Sequence, residues 1–91
     1  MSKRMEQKTR QLCRQVQRAL SLALAAEDVF VVDVLAVGGC GRLVAQVVVP
    51  EGQSVSVALE ELRAKAPRLR AIVAGYISRK RAPELIFMVA P

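Results

Sequence analysis

A proline two residues past a run of three cations divides the last quarter of this chain into a helix and a strand. From Pro67 to Ser78 the apolar residues recur at helical spacing, Arg79-Lys80-Arg81 follows, and beyond Ala82-Pro83 comes Glu84-Leu85-Ile86-Phe87-Met88-Val89. Pro83 has no N–H and biases Ala82 away from helical geometry, so a helix must stop there and an extended segment begin. Three cations are thereby left at a helix C-terminus, where positive side chains complement the helix dipole. Arg63, Lys65, Arg68 and Arg70 lie upstream, with no acidic residue between Arg63 and Arg81. Dipole complementarity does not require that much charge.

The excess is part of a pattern. The net charge of +6 is segregated along the chain. Residues 1–18 set Lys3, Arg4, Lys8, Arg10, Arg14 and Arg18 against Glu6, and residues 63–81 hold seven cations and no anion. Between them, residues 27–61 set Arg42 against Glu27, Asp28, Asp33, Glu51, Glu60 and Glu61. Two basic segments flanking an acidic one point to a polyanionic partner for the first and third.

Other classes are disfavoured by what the chain lacks. At 91 residues with 53% hydrophobic content, one domain over residues 1–91 is expected, its first six residues flexible. No apolar run approaches the ~18 residues needed to cross a bilayer, and Met1-Ser2-Lys3-Arg4 leads into a polar helix, so a soluble, cytoplasmic protein without membrane contact is expected. There is no histidine, and Cys13 and Cys40 are far apart in sequence. That spacing suggests neither a zinc site nor a small disulfide framework, and both thiols read as reduced. Without histidine the commonest general base is absent, and Asp33, Glu84 and Cys40 have no visible catalytic partner, so neither enzyme activity, nor a cofactor, nor a small-molecule substrate is expected.

From about Met5 to Ala26, Leu12, Val16, Leu20 and Leu24, with Ala19 and Ala23 beside them, form one apolar helical stripe. On the other side Arg10, Arg14 and Arg18 recur at four-residue spacing as a cationic ridge, mildly self-repelling unless an anion lies against it. Val29–Val37 and Arg42–Val49 read as two strands joined through Gly38-Gly39-Cys40-Gly41 as an antiparallel hairpin. With Asp33 assigned to the open face, Phe30, Val32 and Val34 are the expected core residues. The glycine cluster spells G-x-x-G, the phosphate-clamping loop of KH domains, but in that fold the loop joins two helices, whereas here it joins two strands, so it reads as a tight turn.

Ser54 is the expected N-cap of a second helix carrying Val55, Ala58, Leu59, Leu62 and Ala66 on one face. Pro67 suits a first turn better than a helix interior, so a break or kink is expected at Lys65-Ala66-Pro67, followed by a third helix burying Leu69, Ile72, Val73, Tyr76 and Ile77. The remaining face of that third helix is small: Ala71, Ala74, Gly75 and Ser78 lie between Arg68 and Arg70 at one end and Arg79, Lys80 and Arg81 at the other. Such a surface either admits a nucleic-acid backbone closely or packs on another helix. With a third strand over Leu85–Val89 the order is α-β-β-α-α-β, an α+β two-layer sandwich of type II KH-like form, its three-stranded sheet covered by helices kinked near Pro67. All three aromatic residues, Phe30, Tyr76 and Phe87, fall on apolar stripes and are expected in the core, not as base-stacking platforms.

The chain from Lys8 to Val89 resembles bacterial ribosome-binding factor A. The resemblance rests on Arg14-Gln15-Val16-Gln17-Arg18-Ala19-Leu20, on Ala45-Gln46-Val47-Val48-Val49, and above all on a basic helix end followed by Pro83-Glu84-Leu85-Ile86-Phe87. Three places depart from the family's pattern. Its Ala-x-Gly element at the kink between the second and third helices is replaced by Lys65-Ala66-Pro67, an Asp entering the second strand is replaced by Gly41-Arg42, and the charged tail of many members has no counterpart before Pro91.

The resemblance implies a non-catalytic maturation factor that binds 16S ribosomal RNA in the immature small ribosomal subunit, late in assembly; a monomer is expected. Arg10, Arg14, Arg18, Lys65, Arg68, Arg70, Arg79, Lys80 and Arg81 are the residues expected to contact RNA phosphates. The competing reading is a non-ribosomal interaction module, or a self-associating one, that pairs its acidic middle with basic surfaces on another chain or copy.

Overall fold

The computed structural model describes residues 3–37, 41–77 and 83–90, with side chains from Lys8 onward. Two helices and three strands follow one another as α1 (Lys3–Ala23), β1 (Phe30–Ala36), β2 (Arg42–Val48), α2 (Val55–Ile77) and β3 (Glu84–Val89). The sheet order is β1-β2-β3. β1 runs antiparallel to β2, and β2 parallel to β3, in the register Leu43↔Leu85 through Val47↔Val89. A parallel neighbour cannot follow its partner through a hairpin, and α2 provides the crossover that β3 requires. This is the expected α+β, KH-like two-layer architecture.

One sheet face carries Val31, Val34, Leu43, Ala45, Val47, Leu85 and Phe87 into the core, where they meet Leu12, Val16, Ala19, Leu20 and Leu24 of the first helical segment and Leu62, Leu69 and Val73 of α2. The stripe expected on α1 is buried as read, with Ala23 partly buried against it and Cys13 joining as an extra core thiol. Leu20, Leu43 and Leu62 are the largest fully enclosed side chains; each contributes about 1.5–3 kcal/mol by leaving water.

Among the described residues, no helix lies over the other sheet face. Leu35, Val44 and Ile86 lie in one cross-strand row there, and Asp33, Gln46 and Met88 in the next. Val44 is buried between its neighbours, while Leu35, Ile86 and Met88 stay exposed.

Two expectations are corrected. Of Phe30, Val32 and Val34, only Val34 is buried; Phe30 is 66% and Val32 46% exposed, and Val31 takes the inward place. The cause is a β-bulge: Val31 pairs with Val47 and Asp33 with Gln46, so Val32 is unpaired and points outward together with Asp33.

The second correction concerns the order α-β-β-α-α-β. The two helices expected on either side of Pro67 are one, with Pro67 inside it. Ala58, Leu62, Leu69 and Val73 stay in phase along a single buried stripe, and Ala66 and Ile77 pack beside it. That shared face holds the helix together across a residue that cannot donate to the Arg63 carbonyl. Val55, Ile72 and Tyr76, expected inside, are exposed on its flanks.

The entry to α2 follows the sequence closely. Gln53 N–H donates to the Pro50 carbonyl at 3.3 Å, and Gly52 sits at φ 88° in the third position of that turn, where a side chain would be strained. Ser54 then caps the helix, its hydroxyl accepting from Val57 N–H at 3.4 Å and its carbonyl from Ala58 N–H at 3.0 Å.

Candidate nucleic-acid interface

Strand register fixes how the charged segments are arranged. At one end of the sheet Phe30 pairs with Val48 and Val47 with Val89; at the other Ala36 pairs with Leu43 and Arg42 with Glu84. α1 delivers the chain to the first end through residues 24–29, so it runs toward that end. α2 leaves the first end through residues 49–54 and returns the chain to the second, where β3 starts. The two helices are therefore antiparallel, and their charges fall in the same sense. Glu27, Asp28, Glu51, Glu60 and Glu61 belong to the first end, whereas Lys8, Arg10 and Arg14 on α1 and Arg68 and Arg70 on α2 lie toward the second. Along α2 the sign changes once, between Glu61 and Arg63.

Side-chain bonds orient the helices about their axes. The Gln17 amide donates to the Val32 carbonyl at 3.2 Å, so that flank of α1 faces β1. Arg70 Nε donates to the Pro83 carbonyl at 3.2 Å, so that flank of α2 faces β3. Lys65, on the opposite flank of α2, pairs with Glu27 in the segment that follows α1. Both partners are more than a third exposed, and such a pair positions the helix more than it stabilises it.

The expected site residues thus fall into three groups. Arg10, Arg14 and Arg18 are all exposed, on the side of α1 away from Leu12, Val16 and Leu20. Arg68 and Arg70 are exposed on the later half of α2, Arg70 with its Nε held by Pro83. Lys65 is half-buried and engaged by Glu27. Arg79, Lys80 and Arg81 lie outside the described residues, as does most of the Gly38-Gly39-Cys40-Gly41 connection.

Two physical features favour an anion at the basic end. Lys8 and Arg10 are exposed on the earlier part of α1 and add their charge to that of Arg68 and Arg70. The small-residue face of α2 is open: Ala71 is exposed, and no atom lies within 4 Å of where a Cβ on Gly75 would stand. Among the described residues no second helix packs on that face.

The aromatic expectation divides. Phe87 is core, but Phe30 and Tyr76 are exposed, Tyr76 by 45%. Among the described residues no group of three or more potential metal ligands comes together, and no helix is long and apolar enough to cross a membrane.

Comparison with known proteins is informative through structure alone. No protein-family profile and no curated protein sequence matches the chain. Among solved structures, the crystal structure of ribosome-binding factor A from Thermus thermophilus is similar at 26% identity and a TM-score of 0.74, over 89% of this chain and 94% of that one. A homology model of the Thermus thermophilus ribosome-binding factor A, fitted into a cryo-EM map of a 30S–RbfA complex, shares the fold at 24% identity and a TM-score of 0.69, over 84% and 88% of the two chains. In fold, over nearly the whole of both chains, this protein is similar to ribosome-binding factor A, the family its sequence resembles.

Proposed function

We propose that this protein is a cytoplasmic ribosome-assembly factor that binds 16S ribosomal RNA in the immature small subunit and promotes its late maturation by binding, without catalysing a reaction. The observation that carries this reading is the charge arrangement. Antiparallel helices bring Lys8, Arg10 and Arg14 of α1 and Arg68 and Arg70 of α2 toward one end, where Glu84 is paired with Arg42, while Glu27, Asp28, Glu51, Glu60 and Glu61 fall toward the other. The similarity to a protein recorded in a 30S complex supports the choice of partner.

Arg10, Arg14, Arg18, Arg68 and Arg70 are the described phosphate contacts in this reading, with Arg79, Lys80 and Arg81 extending the set; Lys65 contributes when released from Glu27. The acidic end is repelled by the same RNA, so the molecule binds in one orientation. Phosphate contacts position a protein without reading sequence, and selection then comes from the shape of a folded RNA junction.

The test is crosslinking in cells, with recovered RNA mapped onto immature and mature subunits. The reading requires contacts concentrated in one region of immature 16S RNA. Contacts scattered over unrelated RNAs would overturn it.

A further inference from the structure

The exposed tyrosine on the groove between the helices has no role in the phosphate-contact scheme. Arg70 faces β3, and Tyr76 lies on the opposite flank of the α2 buried stripe, the flank that Lys65 turns toward Glu27. Gln17 faces β1, and Lys8 and Gln15 lie on the opposite flank of α1. Because the helices are antiparallel, Lys8 in the earlier part of α1 lies toward the same end as Tyr76, and Gln15 lies near the middle of α1. All three are exposed, while Val73 and Leu12 beneath them are buried. Tyr76 therefore rims the outer groove between α1 and α2 at its basic end. Ile72, one turn earlier, is 40% exposed and continues the apolar surface.

We propose that Tyr76 is a base-stacking platform and that the RNA segment reaching this groove is unpaired. This rests on the RNA-binding reading above and deepens it. A half-exposed aromatic ring at the end of α2 that follows Arg68 and Arg70 suits one splayed-out base held by stacking while the arginines hold its phosphates. A duplex keeps its bases stacked internally and offers the ring nothing.

The test uses the full chain and two synthetic RNAs of equal length, one single-stranded and one duplex. Tyr76 is the only tyrosine and there is no tryptophan, so intrinsic emission reports on this one ring. Emission should fall on titration with the single strand and stay unchanged with the duplex. Tyr76→Ala should weaken single-strand binding about 5- to 100-fold, leaving duplex binding and the salt dependence as they were; Tyr76→Phe, which keeps the ring and the fold, should bind like the parent. RNA binding with unchanged emission, or with Tyr76→Ala equal to the parent, would overturn the stacking role and leave the RNA-binding reading standing. Failure of the parent to bind either RNA would overturn both.

Discussion

The side-chain amide of Gln17 donates to the main-chain carbonyl of Val32 across 3.2 Å, meeting β1 at the residue that its bulge leaves unpaired. The contact joins α1 to an edge strand where the ladder is irregular, and the bulge decides which side chains enter the core. Val31→Ala should therefore cost about 1.5–3 kcal/mol, whereas Val32→Ala should stay within about 0.5 kcal/mol. Urea unfolding of the two variants checks this, since unbroken alternation in β1 would reverse the order.

Pro67 interrupts the hydrogen bonding of α2 on an exposed side of the helix. Pro67→Ala restores a donor to the Arg63 carbonyl and should raise stability, by up to about 3 kcal/mol. Thermal unfolding measures the gain. A loss of stability would mean that the proline sets a bend on which the packing of Leu62 and Leu69 depends.

At the start of the same helix, Gly52 holds a positive φ and Ser54 supplies the cap. Gly52→Ala should cost about 1–2 kcal/mol through strain alone, although no atom lies near the added methyl group. Ser54→Ala should cost about 0.5–2 kcal/mol by freeing a backbone donor. Because the sites adjoin, the double variant should fall short of the sum of the two, and chemical denaturation resolves all three.

Much of this was legible in the sequence. The α1 stripe, the strand pairing, the Ser54 cap and the strand after Pro83 all follow from local rules that tertiary packing did not override. Two errors arose where a local rule met a longer-range constraint. Asp33 was a sound marker of the open face, but counting back from it by twos put Val31 outside, because the bulge places two consecutive outward residues at Val32 and Asp33. Pro67 is a sound helix breaker in isolation. Of the break or kink expected there, the break does not occur, because Leu62 and Leu69 lie on the same buried face and the core favours one helix. The arrangement of charge into two ends was not visible in the chain, since it depends on β3 pairing parallel to β2.

The uncovered sheet face bears on oligomeric state. Phe30, Leu35, Val48, Ile86 and Met88 are exposed, yet the proposed function uses the helical side and a monomer. Sedimentation should give a monomer at both low and high salt. A dimer that dissolves at high salt would instead favour pairing of acidic and basic ends, and one that persists would favour the apolar face.

The most direct measurement is the salt dependence of affinity for purified immature small subunits, comparing the parent with Arg10→Glu, Arg14→Glu and Arg18→Glu combined. These side chains are exposed and outside the core, so the variant should fold like the parent. Three lost phosphate contacts should shallow the plot of log affinity against log salt by about 2–3 units and weaken binding at every salt concentration. An unchanged slope and affinity would contradict the claim that this cationic ridge binds ribosomal RNA.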